Sequence, residues 1–309
     1  MARRNHTIDV LKFIFSLCII GVHVHLFEDV NIRAYKLLTQ SLFRIGVPFY
    51  LIVSGWYYAG KLNQKEKAHA WLMRLVKIYI GFEILDIILN IMIARIPPLS
   101  LLLLRICTTG VNQIYWYLIS LILTCVLCSS FWRRGYTKAL IFAGMILYLL
   151  TMTYDAYSFL FQNTVFETLG RLHTSVWRWP QAGFGESVLF LSIGVYLRQN
   201  KIEQKSPLPF LISVFALVVE GFLCQRYQPA DTNCYFSLIP ASIFLFLLAR
   251  AYPDALRLKY ADEMSLYVYM IHIYLTYISV MFSSSTVIRF LITSALASLI
   301  SFLIVRFRK

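Results

Sequence analysis

Residues 8–27 read IDVLKFIFSLCIIGVHVHLF, an apolar run of membrane-spanning length that carries Lys12, His23 and His25. About 20 apolar residues cross the hydrocarbon core of a bilayer as a helix. The run follows Arg3 and Arg4 and could be mistaken for a secretory leader. It is too long for a leader's apolar core, holds ionisable residues, and ends without a small-residue cleavage site. It therefore reads as a retained first helix.

Further runs of this kind recur near 37–60, 71–94, 114–131, 138–154, 183–198, 207–224, 235–251, 265–283 and 286–306. Pro97-Pro98, Pro207 and Pro209 mark breaks between them. The sequence predicts an all-α, polytopic bundle of about ten transmembrane helices, organised as a single domain over residues 1–309. Composition agrees. Of 309 residues, 59% are hydrophobic and 14% charged, against about 45–50% and about 25% in soluble domains. A soluble nucleic-acid binder is excluded despite the net charge of +14. Ten spans use about 200 residues, so any chemistry must sit in the bundle or its loops.

The charge lies in short stretches between the apolar runs, as in cytoplasmic loops. With the N-terminus inside, 20 of the 29 Lys and Arg residues fall on the cytoplasmic side. Every inner loop shares the excess, so both termini are expected in the cytoplasm of a plasma-membrane or inner-membrane protein. Asn5-His6-Thr7 fits a glycosylation sequon but precedes the first helix on that inner side and is read as accidental. The longest outer loop is expected from Asp155 to Pro180, where Trp177, Arg178 and Trp179 suit an interfacial cap or lid.

Ionisable side chains within a membrane helix usually face the bundle interior and mark a functional path. Lys12 and His23 are eleven residues apart, so they share a helix face and stand about 16 Å apart along it. His25 is rotated about 200° from His23. The structural alternative is that Lys12 snorkels while His23 satisfies a hydrogen bond. Arg44 enters the second helix from outside at the depth of His23, and Pro48 there frees a carbonyl that could line a cavity. On the third helix Tyr79, Glu83, Asp86 and Asn90 form one polar stripe. It fits a substrate-lined interior or, equally, a structural network to Arg44. Ser265, Tyr269 and His272 share a face by the same spacing. Glu186 and Glu220, near outer ends, are secondary candidates.

Other patterns carry less. The lone Cys125-x-x-Cys128 has no second pair and reads as buried helix cysteines. His23-Val24-His25 puts its imidazoles on opposite faces, so no metal is expected. Gly183-Phe-Gly185 lacks the third glycine and preceding strand of a nucleotide loop. No Gly-x-Ser-x-Gly elbow is present.

Several segments in order carry a resemblance. Ile8-Asp9-Val10-Leu11-Lys12, ten residues, then His23 comes first. Arg44-Ile-Gly-Val-Pro-Phe-Tyr50 with Ser54-Gly55-Trp56, Arg74-Leu-Val-Lys77-Ile-Tyr79, Trp116-Tyr117-Leu118 and Ser265-Leu-Tyr-Val-Tyr269-Met-Ile-His272 follow. Together they resemble the acyltransferase 3 family of integral-membrane O-acyltransferases, and also the membrane domain of vancomycin-resistance serine racemases. Two departures stand out. Lys12 occupies a position that is usually arginine, and Ile114 one that is often histidine. The resemblance implies acetyl-CoA or another acyl-CoA as donor substrate and a cell-surface or lipid-linked glycan hydroxyl as acceptor. His23 would then be base or relay, and Arg44 would stabilise the oxyanion or bind the acceptor. Lys12, Arg74 and Lys77 would meet the donor phosphates. Glu83, Asp86, Trp116, Tyr269 and His272 would line the cavity. A second reading is a transporter or sensor bundle binding a zwitterion such as an amino acid, in which no acyl group moves.

Overall fold

The computed structural model describes residues 4–92, 95, 97–227 and 232–308. Arg3, Lys309 and the expected end of the third helix at 93–94 lie outside the described residues. Among the described residues every regular element is helical, as backbone buried in lipid requires. The α-helices are α1 (His6–His23), α2 (Ile32–Ala34), α3 (Gly46–Ala59), α4 (Lys65–Met92), α5 (Leu99–Thr108), α6 (Trp116–Arg133) and α7 (Thr137–Thr153). They continue as α8 (Val165–Trp177), α9 (Ser187–Gln199), α10 (Leu208–Tyr227), α11 (Leu238–Ala251), α12 (Ala261–Val280) and α13 (Thr286–Phe307). Five segments among the described residues are long and apolar enough to cross a membrane: His6–His23, Ile32–Ala59, Trp116–Arg133, Leu208–Tyr227 and Thr286–Phe307.

The chain forms two compact units. The first comprises Met1–Tyr50, Glu203–Asp231 and Tyr235–Lys309. In it α1 packs on α12 and α13, and α10 on α11. Helix α1 starts where Asn5 Oδ1 accepts from the Ile8 amide at 2.9 Å, an N-cap. It stops at His23, four residues before the apolar run ends. The chain then turns, with His25 at φ 54° and Phe27 at φ 73°. Tertiary bonds hold this turn. Thr39 Oγ1 donates to the Leu26 carbonyl at 3.0 Å, and the Phe27 amide donates to Thr286 Oγ1 at 3.1 Å.

The predicted helix 37–60 is likewise divided. A π-helical segment Tyr35–Thr39 and a 3₁₀ turn Leu42–Ile45 precede α3. Arg44 therefore sits in the turn, not inside a helix. Pro48 falls in the first turn of α3, where a backbone N–H has no intrahelical partner to lose. Glu220 accepts from the Phe236 and Ser237 amides at 2.6 and 2.7 Å and so caps the start of α11.

The second unit comprises Leu51–Ile202 and Thr232–Cys234. Its centre is α9, packed against α6 and α7. Helices α3 and α9 touch backbone to backbone. A Cβ on Gly55 would lie 2.2 Å from the Leu191 carbonyl oxygen, and one on Gly194 would lie 2.2 Å from that of Ile52. Small residues permit this approach in lipid, where packing rather than hydrophobic transfer holds helices together.

Two helices in this unit depart from the sequence reading. Helix α5 follows Pro97-Pro98, in a stretch read as loop. Helix α8 occupies the expected outer loop between Asp155 and Pro180. Its Val165, Leu169, Leu172 and Val176 form an exposed apolar stripe, and Trp179 Nε1 donates to the Gln113 carbonyl at 2.9 Å. Helices of 10 and 13 residues are too short to span but suit an interfacial position.

Candidate functional site

In the first unit, α1 and α12 bring together four residues singled out by sequence. Lys12 forms an ion pair with Asp262 in the first turn of α12. Eleven residues on, the His23 ring lies 5.0 Å, centroid to centroid, from the ring of His272. Contacts recurring in the same order along both helices make α1 and α12 parallel. The Tyr269 ring stands 6.1 Å from His272.

The chemistry of this pair follows from its hydrogen bonds. His272 Nδ1 is 2.7 Å from the Tyr269 carbonyl. A carbonyl only accepts, so Nδ1 carries the proton and Nε2 carries the lone pair. That Nε2 is buried and has no hydrogen-bond partner among the described residues. His272 is 1% exposed, whereas His23 is exposed. One accessible imidazole thus leans on a buried one whose tautomer is fixed.

The 3₁₀ turn that carries Arg44 packs on α1. Arg44 Nη2 donates to Gln40 Oε1 at 3.0 Å. Gln40 Nε2 donates to the Tyr35 hydroxyl at 2.6 Å, which lies 3.2 Å from His25 Nδ1. His25 is thus outside α1, not on its far face, and joins the polar chain that holds Arg44. Sequence reading missed Gln40, although its i, i−4 spacing to Arg44 was a usable signal. It missed Asp262 as well, because nothing local relates two residues 250 apart.

In the second unit the α4 stripe is bonded to one loop. Glu83 Oε2 accepts from the Val111 amide at 3.0 Å. Tyr79 donates to the Ile106 carbonyl at 2.6 Å, and Asn90 Nδ2 donates to Asn112 Oδ1 at 3.0 Å. Gly110, at φ +82°, leaves room for Glu83 Oε1, which would stand 2.5 Å from a Cβ there. Asp86 is fully buried and Glu83 is 4% exposed. This network fixes the segment leading to Trp116, which opens α6 and meets Tyr117 edge-on at 6.5 Å. Arg74 and Lys77 are exposed on the first half of α4. Elsewhere in the unit Asp155 Oδ2 accepts from the Asn233 and Cys234 amides, and the Cys234 thiol lies 3.5 Å from Glu186 Oε1. Among the described residues no group of three or more His, Cys, Asp or Glu side chains could hold a metal ion.

A family model described as an acyltransferase domain, acyltransferase 3, matches residues 5–306. The chain belongs to that family. It is accordingly a membrane-embedded protein, and one family model runs through both units. The serine/alanine racemase of Enterococcus gallinarum is 24% identical over 284 residues, which cover 88% of this chain and 41% of that protein. The amino-acid racemase of Enterococcus faecalis is 23% identical over 289 residues, with the same coverage. The chain therefore spans less than half the length of these curated relatives. No solved structure matches it.

Proposed function

We propose that this acyltransferase 3 protein moves an acyl group, acetyl in the first instance, from acyl-CoA to a hydroxyl of a cell-surface or lipid-linked glycan. The observation that supports this best is the His23–His272 pair beside Arg44. Neutral imidazole can take a hydroxyl proton near pH 7. In this reading His23 is the base, and the buried His272 ring packed against it at 5.0 Å holds it in place. The acceptor oxygen, losing its proton to His23, bonds to the thioester carbonyl carbon. Arg44 stabilises the oxyanion that forms. The carbon–sulfur bond then breaks, and His23 returns the proton to the departing thiolate. Lys12, Arg74 and Lys77 are assigned to the donor phosphates. Tyr269, beside His272, is assigned to the wall around the acceptor, and Glu83, Asp86 and Trp116 to a cavity lining within the second unit. The test is mass spectrometry of surface glycans from cells with and without the gene. Identical acylation in both would refute the reading.

A second reading has one observation in its favour: both curated relatives are named as amino-acid racemases. A bundle that binds or passes an amino acid would use Arg44 for the carboxylate and move no acyl group. Purified protein that slowly hydrolyses acetyl-CoA favours transfer. Saturable serine binding without such hydrolysis favours the alternative.

A further inference from the structure

At one end of the second unit, two cations are held side by side without a carboxylate. Arg198, at the end of α9, lies over the Trp56 ring at 5.4 Å and donates through Nη1 to the Trp56 carbonyl at 3.2 Å. Lys61, in the turn after α3, donates to the Tyr57 carbonyl at 3.2 Å. Both side chains are half-buried. Burial and the neighbouring Arg198 charge pull the Lys61 ammonium below its usual value. Gly60 makes the arrangement possible, since a Cβ there would stand 2.6 Å from Arg198 Nη2. Neither cation has another partner among the described residues.

Capping of α3 accounts for part of this. Trp56 and Tyr57 belong to the last turn of that helix, and cations are favoured at helix C-termini. A helix end supplies only about half an elementary negative charge, against two full positive charges. Each side chain also spends one donor on a carbonyl, out of five for arginine and three for lysine. The surroundings add further positive charge. Lys65, Lys67 and Lys201 are close in sequence to these elements, and Glu66 and Glu203 are the acids on the same stretches.

We infer that Lys61 and Arg198, the latter held over the face of Trp56, form a binding site for a phosphate group, distinct from the residues assigned to acyl transfer. Arginine presents a planar fork to phosphate oxygens, and lysine adds a point charge. The phosphate can belong to a soluble nucleotide-like ligand or to an anionic lipid headgroup, and the test separates the two. The full chain is purified in neutral detergent and its unfolding midpoint followed in two titrations, with pyrophosphate and with phosphatidylglycerol. Phosphatidylcholine serves as the lipid blank. The expected result is a saturable upward shift in at least one arm, whose midpoint concentration rises at least tenfold in R198Q and in K61Q but stays within twofold in R134Q. A response to pyrophosphate assigns a soluble ligand, and a response to phosphatidylglycerol alone assigns a headgroup. A merely structural Arg198 would lower the ligand-free midpoint and leave the ligand-induced shift intact, and K61Q repeats the test without touching Arg198. No saturable shift in either arm, or an equal loss in R134Q, overturns the site. Glycan acylation is not read out, so failure here leaves the acyl-transfer reading standing, and the converse holds.

Discussion

His23 and Lys12 make opposite demands on a substitution. His23→Ala removes the proposed base, so acyl transfer should fall by about 10²–10⁴-fold while the protein stays inserted; near-wild-type glycan acylation would take His23 out of the mechanism. His25→Ala should be milder, because His25 reaches Arg44 only through Tyr35 and Gln40. Lys12 is harder to interpret, since it is paired with Asp262. If it also meets donor phosphates, Lys12→Ala raises the donor KM and Lys12→Arg restores it. Asp262→Asn discriminates. It breaks the pair but leaves the cation, so donor KM should hold. An Asp262→Asn enzyme with the same raised KM as Lys12→Ala would reduce the role of Lys12 to its ion pair.

Among the elements, the apolar ones were legible, the short α9 and α11 included, while α5 and α8 were not. Helices α1 and α12 followed from apolar runs of spanning length, and the shared face of Lys12 and His23 from 3.6-residue periodicity. Both residues do contact α12. Helix α5 escaped because its 10 residues follow directly on Pro97-Pro98, and α8 because Glu167, Arg171 and His173 interrupt its apolar residues, whereas the equally short α9 is apolar nearly throughout. The break between His23 and α3 escaped for another reason. It contains no proline, and it is held by distant partners such as Thr286, and by Gly221, where a Cβ would stand 2.1 Å from Ser41 Oγ. The α4 stripe was legible as a stripe, but not its partners in the loop before α6. That loop gives a stability prediction. Glu83→Leu strands the buried Val111 amide and should cost about 1–3 kcal/mol, whereas Glu83→Gln keeps an acceptor and should cost less. Equal thermal shifts for the two would mean the hydrogen bond does not hold the loop. A pH effect belongs to α8. Its His173 ring packs on Tyr154 at 5.5 Å, and burial draws its pKa below the ordinary histidine value despite nearby backbone carbonyls. A depressed folded pKa means the stabilisation is complete above about pH 6.5 and is lost as pH falls through the folded value. Thermal unfolding should therefore move down on acidification from pH 7 to 5, and His173→Gln should flatten that slope.

For the whole molecule the decisive quantity is orientation. On the ten-span reading with the N-terminus inside, 20 of 29 basic residues fall on one side, and the K/R count in short loops sets topology with little help from acids. The parallel packing of α1 and α12 fits an odd-numbered pair of spans running outward together. If this holds, Lys12, Lys61 and Arg198 face the compartment that contains nucleotides and acyl-CoA, and His25 faces the other. Single cysteines in a background without the six native ones test it. Gln64→Cys, in an exposed turn three residues from Lys61, should react with a membrane-impermeant maleimide only after the cells are opened. Val30→Cys, at a site 64% exposed in the turn after α1, should react on intact cells. The pair is chosen because α1 and α3 are the helices that carry His23 and lead to Lys61, so one experiment orients both. Labelling of both positions from the same side would break the alternation of the first two spans. Labelling of residue 64 from outside alone would invert the bundle, and a soluble phosphate donor could then reach neither Lys12 nor the Lys61–Arg198 pair from the cytoplasm.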